Sequence, residues 1–188
     1  MAIRKYVLDT SLFVNPAARK PFGKSPDEAV MKFIKIAKKK EDSEFYMTPL
    51  TFKELQHFLK PRTADELEVF IKKRSANLYA IYLPAAVLYK FIDNVRGRID
   101  KGLRVAEQFA IDNTPNNQSK VKTLREKYRV ALRTGIIDSK EDFEALMLAK
   151  EMDAVIVTSD EGAISFADDV GCQWLNGKHF YKVINGKK

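Results

Sequence analysis

Cysteine is nearly missing from this chain of 188 residues: Cys172 stands alone, so neither a disulfide framework nor a zinc ribbon can be built. His57 and His179 are the only histidines, too few for a three-histidine zinc site, and the spelling HExxH is absent. Glycine (8) and proline (7) are sparse, and neither a Walker-type phosphate loop nor a GxGxxG fingerprint occurs. No run approaches the roughly 18 apolar residues of a membrane span, and the first residues do not read as a signal peptide. The expectation is a cytoplasmic protein with no membrane partner, whose chemistry falls to carboxylates.

Apolar side chains are plentiful, at 45% with 11% aromatic, enough for a folded core and too many for a disordered chain. The charge is uneven. Residues 1–60 hold 12 basic and 7 acidic side chains, residues 61–134 hold 15 and 8, and residues 135–188 hold 6 and 10, for a net charge of +8. Basic surface favours a polyanionic partner, because each neutralised phosphate releases condensed counterions. An acidic pole on such a protein repels that partner unless a bound divalent metal offsets it. The plainer reading is that the surplus charge only aids solubility.

The pattern along the chain alternates between short strands and helices. Tyr6–Leu8 reads as a buried strand ending at Asp9, followed by a loop through Asn15-Pro16 and Pro21–Gly23. Ser25-Pro26-Asp27-Glu28 carries a helix start, with a cap, a first-turn proline and acids against the dipole. Glu44–Thr48 reads as a second strand, with a short helix after Pro49 and another from the capping-box spelling at Thr63 to about Arg74. Leu78–Leu83, closed by Pro84, reads as a third strand. A long helix over 85–111, interrupted weakly at Gly97 and Gly102, is then separated by Asn113–Asn117 from another over about 119–134, giving a hairpin that Gly135 ends. The last part returns to alternation: a helix at about 140–151, a strand at Ala154–Thr158, a helix to about Val170 and a strand at Cys172–Leu175. This order predicts an α/β fold with a parallel sheet flanked by helices, in two parts (1–84 and 135–188) around a helical hairpin insertion (85–134).

Ligands of parallel sheets bind at the carboxyl ends of the strands, and acids fall at those ends. Asp9 closes the first strand, Asp160 and Glu161 follow another, and Glu54 comes shortly after the second. Asp138 and Asp142, four apart at a helix start, can share a face. Two carboxylates 5 Å apart at an effective dielectric of 20 repel by about 3 kcal/mol. Such a group is tolerated when a member stays protonated or when Mg²⁺ or Mn²⁺ neutralises it, and a hard cation on carboxylates is a standard device for phosphodiester hydrolysis. Each acid also has a structural use: an Asx turn for Asp9, a helix start at which Asp138 or Ser139 is the cap, opposition to a helix dipole for Asp142, a turn for Asp160, a solvated surface for Glu54 and Glu161.

Four segments together resemble the PIN-domain nucleases: Tyr-Val-Leu-Asp9-Thr-Ser, Thr48-Pro-Leu-Thr-Phe-Lys-Glu54-Leu, Asp142-Phe-Glu-Ala-Leu-Met-Leu-Ala149, and Val-Ile-Val-Thr158-Ser-Asp160. The middle of the chain is similar to one subgroup of that family. Tyr79-Ala-Ile-Tyr-Leu-Pro84, Val95-Arg-Gly-Arg-Ile-Asp-Lys-Gly-Leu-Arg104, and Leu124-Arg-Glu-Lys-Tyr-Arg129 leading to Asp138-Ser-Lys-Glu-Asp142 resemble the small RNA-free ribonuclease P proteins of bacteria and archaea, the HARP type, also known as RNA ligase partner proteins. The resemblance implies an endoribonuclease that removes the 5′ leader of precursor tRNA by metal-dependent hydrolysis, leaving a 5′-phosphate, and a homo-oligomer assembled through the helical hairpin. It carries Asp9, Asp138, Asp142 and Asp160 onto the acidic site. Glu54 matches only the wider PIN pattern, and Glu161 stands where an extra carboxylate assists.

Lys122, Arg125, Arg129 and Arg133 recur at spacings of 3, 4 and 4, one residue after Val121, Leu124, Tyr128 and Leu132. One stripe can pack while its neighbour faces outward, about 100° around the axis. The basic stripe suits RNA phosphates, with solubility or ion pairs to a neighbouring helix as the lesser, structural use. Two rival functions remain: a PIN ribonuclease of another substrate, such as a toxin, and a noncatalytic RNA-binding or scaffold partner of an RNA-processing enzyme. A dehalogenase-like phosphatase is excluded, because Ser11 stands where its second aspartate belongs.

Overall fold

The computed structural model of the chain describes residues 3–111, 117–132 and 139–186. Its elements run β1 (Arg4–Leu8), α1 (Ser11–Val14), α2 (Pro16–Arg19), α3 (Pro26–Ala37), β2 (Ser43–Met47), α4 (Pro49–Gln56), α5 (Pro61–Phe70), β3 (Lys72–Lys73), α6 (Ala85–Ile111), α7 (Asn117–Leu132), α8 (Lys140–Glu151), β4 (Val155–Thr158), α9 (Glu161–Val170), β5 (Trp174–Asn176) and α10 (Gly177–Asn185). They divide into two compact units, Met1–Tyr82 with Ser139–Lys188, and Leu83–Asp138.

In the first unit the apolar strand residues set the architecture. Five strands in the order β3-β2-β1-β4-β5 pair in parallel throughout, the α/β arrangement that the alternating pattern predicts. Parallel strands need covering on both faces. Tyr6, Leu8, Phe45 and Met47 pack into one buried cluster with Phe33 and Ile34 of α3 and Phe180 and Ile184 of α10. Alternation along the strand turns Val7 to the other face, where α8 packs on β1 and β4 and buries Ala145 through Ala149. The helix starts are cut by their own side chains. Ser25 accepts from the Glu28 amide, Thr48 from Thr51, Ser139 from Asp142 and Asp160 from Ala163, with proline in the first turn of α3 and α4.

Three expectations are corrected. Residues 78–83 form no strand; Tyr79 and Tyr82 are exposed there, and the fifth strand of the sheet is Lys72–Lys73, paired with Tyr46–Met47. Its lysines suit an edge strand, where charge blocks further pairing. The fifth helix begins at Pro61 with Lys60 before it and ends at Phe70, so Thr63 lies inside it, buried, and is not its cap. The segment after Asp9 is not only loop, because Ser11–Val14 and Pro16–Arg19 are single helical turns, the second capped by Asn15.

In the second unit α6 and α7 pack on each other. Gly102 does not interrupt α6. A Cβ there would lie 2.8 Å from the Tyr128 ring, so glycine is what lets that ring of α7 approach. Gly135 and residues 113–116 of the proposed turn lie outside the described residues.

Candidate active site

The strand order reverses its sense at β1. The chain proceeds from β1 outward through β2 to β3 on one side, while β4 and β5 lie on the other, so the connections after β1 and β4 diverge and leave a crevice at the carboxyl edge. Asp9 is the first residue beyond β1. Its amide donates to the Val157 carbonyl of β4 at 3.0 Å, and its side chain is 4% exposed. Asp9 Oδ2 accepts hydrogen bonds from Ser11 Oγ (2.5 Å) and Thr158 Oγ1 (2.6 Å). Both hydroxyls are held in turn, Ser11 Oγ accepting from the Ser159 amide at 2.8 Å and Thr158 Oγ1 from the Asp160 amide at 3.0 Å. Burial pushes the Asp9 carboxyl above its ordinary range and the Glu54 charge adds to this, while the hydroxyl donors pull it back.

Glu54, on the exposed side of α4, is tied to the same edge, because Thr10 Oγ1 donates to Glu54 Oε2 at 2.7 Å. Asp142 sits in the first turn of α8, where its amide donates to Ser139 Oγ at 3.0 Å. Burial raises its carboxyl to about 7, and the charges of Asp9, Asp160 and Glu54 add to the shift, against the opposing bond from Ser139. Asp9 after β1, Glu54 on α4 and Asp160 at the β4–α9 junction therefore all act on Asp142 of α8, along the carboxyl edge of the sheet. Asp160 also serves as the cap of α9, accepting from the Ala163 amide at 2.8 Å, so its structural use and its place in the cluster coexist. Glu161 opens α9 in an exposed position. Asp138 lies outside the described residues.

The hydroxyls around the acids are site residues that the sequence pattern alone does not mark. Thr10, Thr48, Thr51 and Thr158 are all buried, and they gather where parallel strands end. The usable signal is a Ser or Thr directly after or at the end of each strand that delivers an acid.

The donors are all oxygen, which matches a hard divalent cation. Among the described residues no group of three or more Asp, Glu, His or Cys side chains is drawn close enough to enclose an ion as it stands. The electrostatics favour one nonetheless: a buried aspartate and a second carboxyl raised to about 7 by burial and three like charges are both relieved by a cation.

Lys122, Arg125 and Arg129 lie exposed along α7 in the second unit; Arg133 lies outside the described residues. Among the described residues no helix is long and apolar enough to cross a membrane.

Residues 5–187 match the PINc domain ribonuclease family, which puts this parallel α/β fold in a nuclease class. The chain is 43% identical over 187 residues to an RNA-free ribonuclease P of Thermococcus kodakarensis, covering 97% of this chain and 94% of that protein. It is 42% identical over 180 residues to one from Thermodesulfovibrio yellowstonii (94% and 91% covered) and 38% identical over 188 residues to one from Halorhodospira halophila (97% and 90% covered). The chain belongs to the RNA-free ribonuclease P family of PINc domain ribonucleases.

Proposed function

We propose that this protein removes the 5′ leader of precursor tRNA by hydrolysing one phosphodiester, without an RNA subunit, in the cytoplasm. The observation that carries the reading is the convergence of Asp9, Glu54, Asp142 and Asp160 at the switch point of a PIN sheet, in a chain whose full-length relatives bear the ribonuclease P name.

Asp9, Asp142, Asp160 and Glu54 are the residues that would hold Mg²⁺ or Mn²⁺, with Glu161 an auxiliary carboxylate and Asp138 a further catalytic acid. Such a cation lowers the pKa of an attacking water and stabilises the leaving oxygen. The protein's own part is positioning. Ser11 and Thr158 hold Asp9 in one rotamer through Oδ2, Thr10 holds Glu54 beside it, and Ser139 fixes the turn that presents Asp142. Folded RNA is recognised mainly by backbone and shape, so Lys122, Arg125, Arg129 and Arg133 would read phosphates and leave bases unread.

The helical hairpin 85–134 is an insertion between PIN parts 1–84 and 135–188, and it joins protomers into a homo-oligomer. What supports this is the apolar surface of α6, with Leu88 62%, Phe91 53%, Ile99 59% and Leu103 55% exposed. A patch of that kind marks an interaction surface.

The direct test is to incubate purified protein with a precursor tRNA, with and without EDTA, and map the cut. One cut at the leader junction, abolished by EDTA, is the expected result. Asp9→Asn and Asp142→Asn should each lower single-turnover cleavage by about 10³-fold or more, the scale of losing several kcal/mol of charge stabilisation, with tRNA binding retained. Full inactivity with both Mg²⁺ and Mn²⁺ would favour a noncatalytic RNA-binding role.

A further inference from the structure

The lysines of α3 are not used by the acidic site. Lys32 and Lys35 project from its exposed side, and Lys38, Lys39 and Lys40 continue the run into the turn before β2. Against them stands α10, and the two helices enclose an open cleft of about 520 Å³ lined by Lys32, Lys35, Lys39, Lys40, Tyr181 and Asn185 with two isoleucines, and by no carboxylate among the described residues. A neighbouring hollow that shares Lys32 and Lys35 with this cleft includes Glu28 and Glu66, so the acid-free lining is that of the side bearing Lys39 and Lys40.

Lys32 is engaged. It donates to the Pro21 carbonyl at 2.9 Å and lies 5.1 Å over the Tyr181 ring. Among the described residues Lys35, Lys39 and Lys40 form no ion pair. Lysines at helix ends do have a structural use, since a helix C-terminus carries about half a negative charge. Both α3 and α10 end at this cleft, which amounts to about one charge against four ammonium groups. The surplus is what an anion would neutralise.

Topology separates this cleft from the cleavage edge. Chain leaving α3 enters the amino end of β2, whereas Asp9 and Asp160 follow the carboxyl ends of β1 and β4. A five-residue strand is roughly 16 Å long, so an anion here is not at the acidic crevice.

We propose that the Lys35–Lys39–Lys40 cleft between α3 and α10 is a second binding site for RNA phosphates, on the PIN unit itself and at the edge of the sheet opposite the acids. It deepens the ribonuclease reading and rests on it for the identity of the RNA. Lysine contributes point charges without base readout, so the site adds affinity and salt dependence and leaves cleavage chemistry alone. The phosphates come either from the single-stranded leader or from the tRNA body.

The experiment measures Kd across a KCl series for precursor tRNA with a long leader and for leaderless mature tRNA. The proteins are the full chain, the triple variant Lys35→Ala/Lys39→Ala/Lys40→Ala, and the corresponding triple arginine variant. Precursor binding by the alanine variant should weaken by about 10-fold or more, and the slope of log K against log salt should flatten by roughly 2, from three contacts at about 0.7 each on a single strand. The arginine variant should keep the slope, and single-turnover cleavage at saturating enzyme should be unchanged. A loss confined to the long leader assigns the site to the leader; an equal loss on mature tRNA assigns it to the body; both support the proposal. An unchanged slope overturns it, whether accompanied by a lower Tm, which would make the lysines helix-end supports, or by a smaller particle, which would make them contacts to an acidic face of a second copy. If the wild-type protein cleaves while the alanine variant keeps its slope, only this proposal fails. If the slope flattens and no variant cleaves, only the ribonuclease reading fails.

Discussion

Thr158 Oγ1 donates a 2.6 Å hydrogen bond to Asp9 Oδ2 across 149 positions of sequence, joining the ends of β4 and β1 where the strand order reverses. The same oxygen accepts from the Asp160 amide. One fully buried hydroxyl thus fixes the first acid and the turn that carries the last.

Thr158→Val keeps the volume and removes the hydroxyl. Asp9 loses one of its two side-chain donors and the Asp160 amide loses its acceptor. Cleavage should fall about 10–100-fold with a higher metal requirement, the usual scale for groups that orient metal ligands, while Thr158→Ser retains activity. Ser11→Ala should behave like Thr158→Val. A metal titration of single-turnover rate checks both; unaltered half-saturation in the two variants would remove the hydroxyls from the site's design.

Asp142 carries a stability signature. Its carboxyl lies at about 7 in the folded protein against 3.8 for the free side chain, so between those values the folded state holds a proton that the unfolded state lacks. Stability therefore declines as pH rises through that window, and the full cost is present above pH 7. Asp142→Asn removes the titration. Without metal the variant should melt higher than wild type at pH 8, by about 2–4 °C for each kcal/mol recovered, and the difference should vanish near pH 4. Adding Mg²⁺ at pH 8 should raise the wild-type Tm and leave the variant nearly unmoved. A pH-independent difference in Tm would count against the electrostatic cause.

Much of the sheet was legible because its signals are local. Val155–Thr158 is an apolar run, and Ser25-Pro26-Asp27-Glu28 and Ser139 spell helix starts that the structure realises hydrogen bond by hydrogen bond. The edge strand was misplaced for the converse reason. Lys72–Lys73 has no apolar alternation, and its pairing is decided by the neighbouring Tyr46–Met47 backbone, whereas Leu78–Leu83 has strand-like composition and no partner in the sheet. Gly177–Asn185 also gave no clear helix signal, although its cap Asn176 and its core residues Phe180 and Ile184 are plain once the sheet supplies something to pack on. In the site, acids at strand ends could be picked from sequence. That Thr10 holds Glu54 depends on the register between β1 and β2, and that Ser11 and Thr158 share one oxygen of Asp9 depends on the register between β1 and β4; no single segment encodes either.

The basic stripe of α7 makes a prediction independent of the acids. Lys122, Arg125 and Arg129 are exposed, and among the described residues none of them forms an ion pair. Arg125→Ala and Arg129→Ala should each weaken precursor binding and lower the salt slope by about 0.9 if the phosphate contacted belongs to duplex RNA, with saturated single-turnover cleavage preserved. A slope identical to wild type in the double variant would leave these arginines as solubility determinants.

The apolar face of α6 gives the last test. Phe91, Val95, Ile99 and Leu103 recur every fourth residue, so they line one side of the helix, and all four are exposed within the described unit. Covering a large apolar side chain is worth about 1.5–3 kcal/mol, so a face of this kind covered by a second protomer supplies enough free energy to hold an assembly. Full-length protein with Phe91→Asp and Ile99→Asp places two charges on that face without deleting any element, and a buried unpaired carboxylate costs several kcal/mol. Light scattering should then report a smaller particle than wild type, with the helical circular dichroism signal preserved. A particle of undiminished mass would show that this face of the hairpin is not what joins the protomers, and its apolar residues would need another partner, of which the RNA-bound state is the first to examine by repeating the measurement with precursor tRNA present.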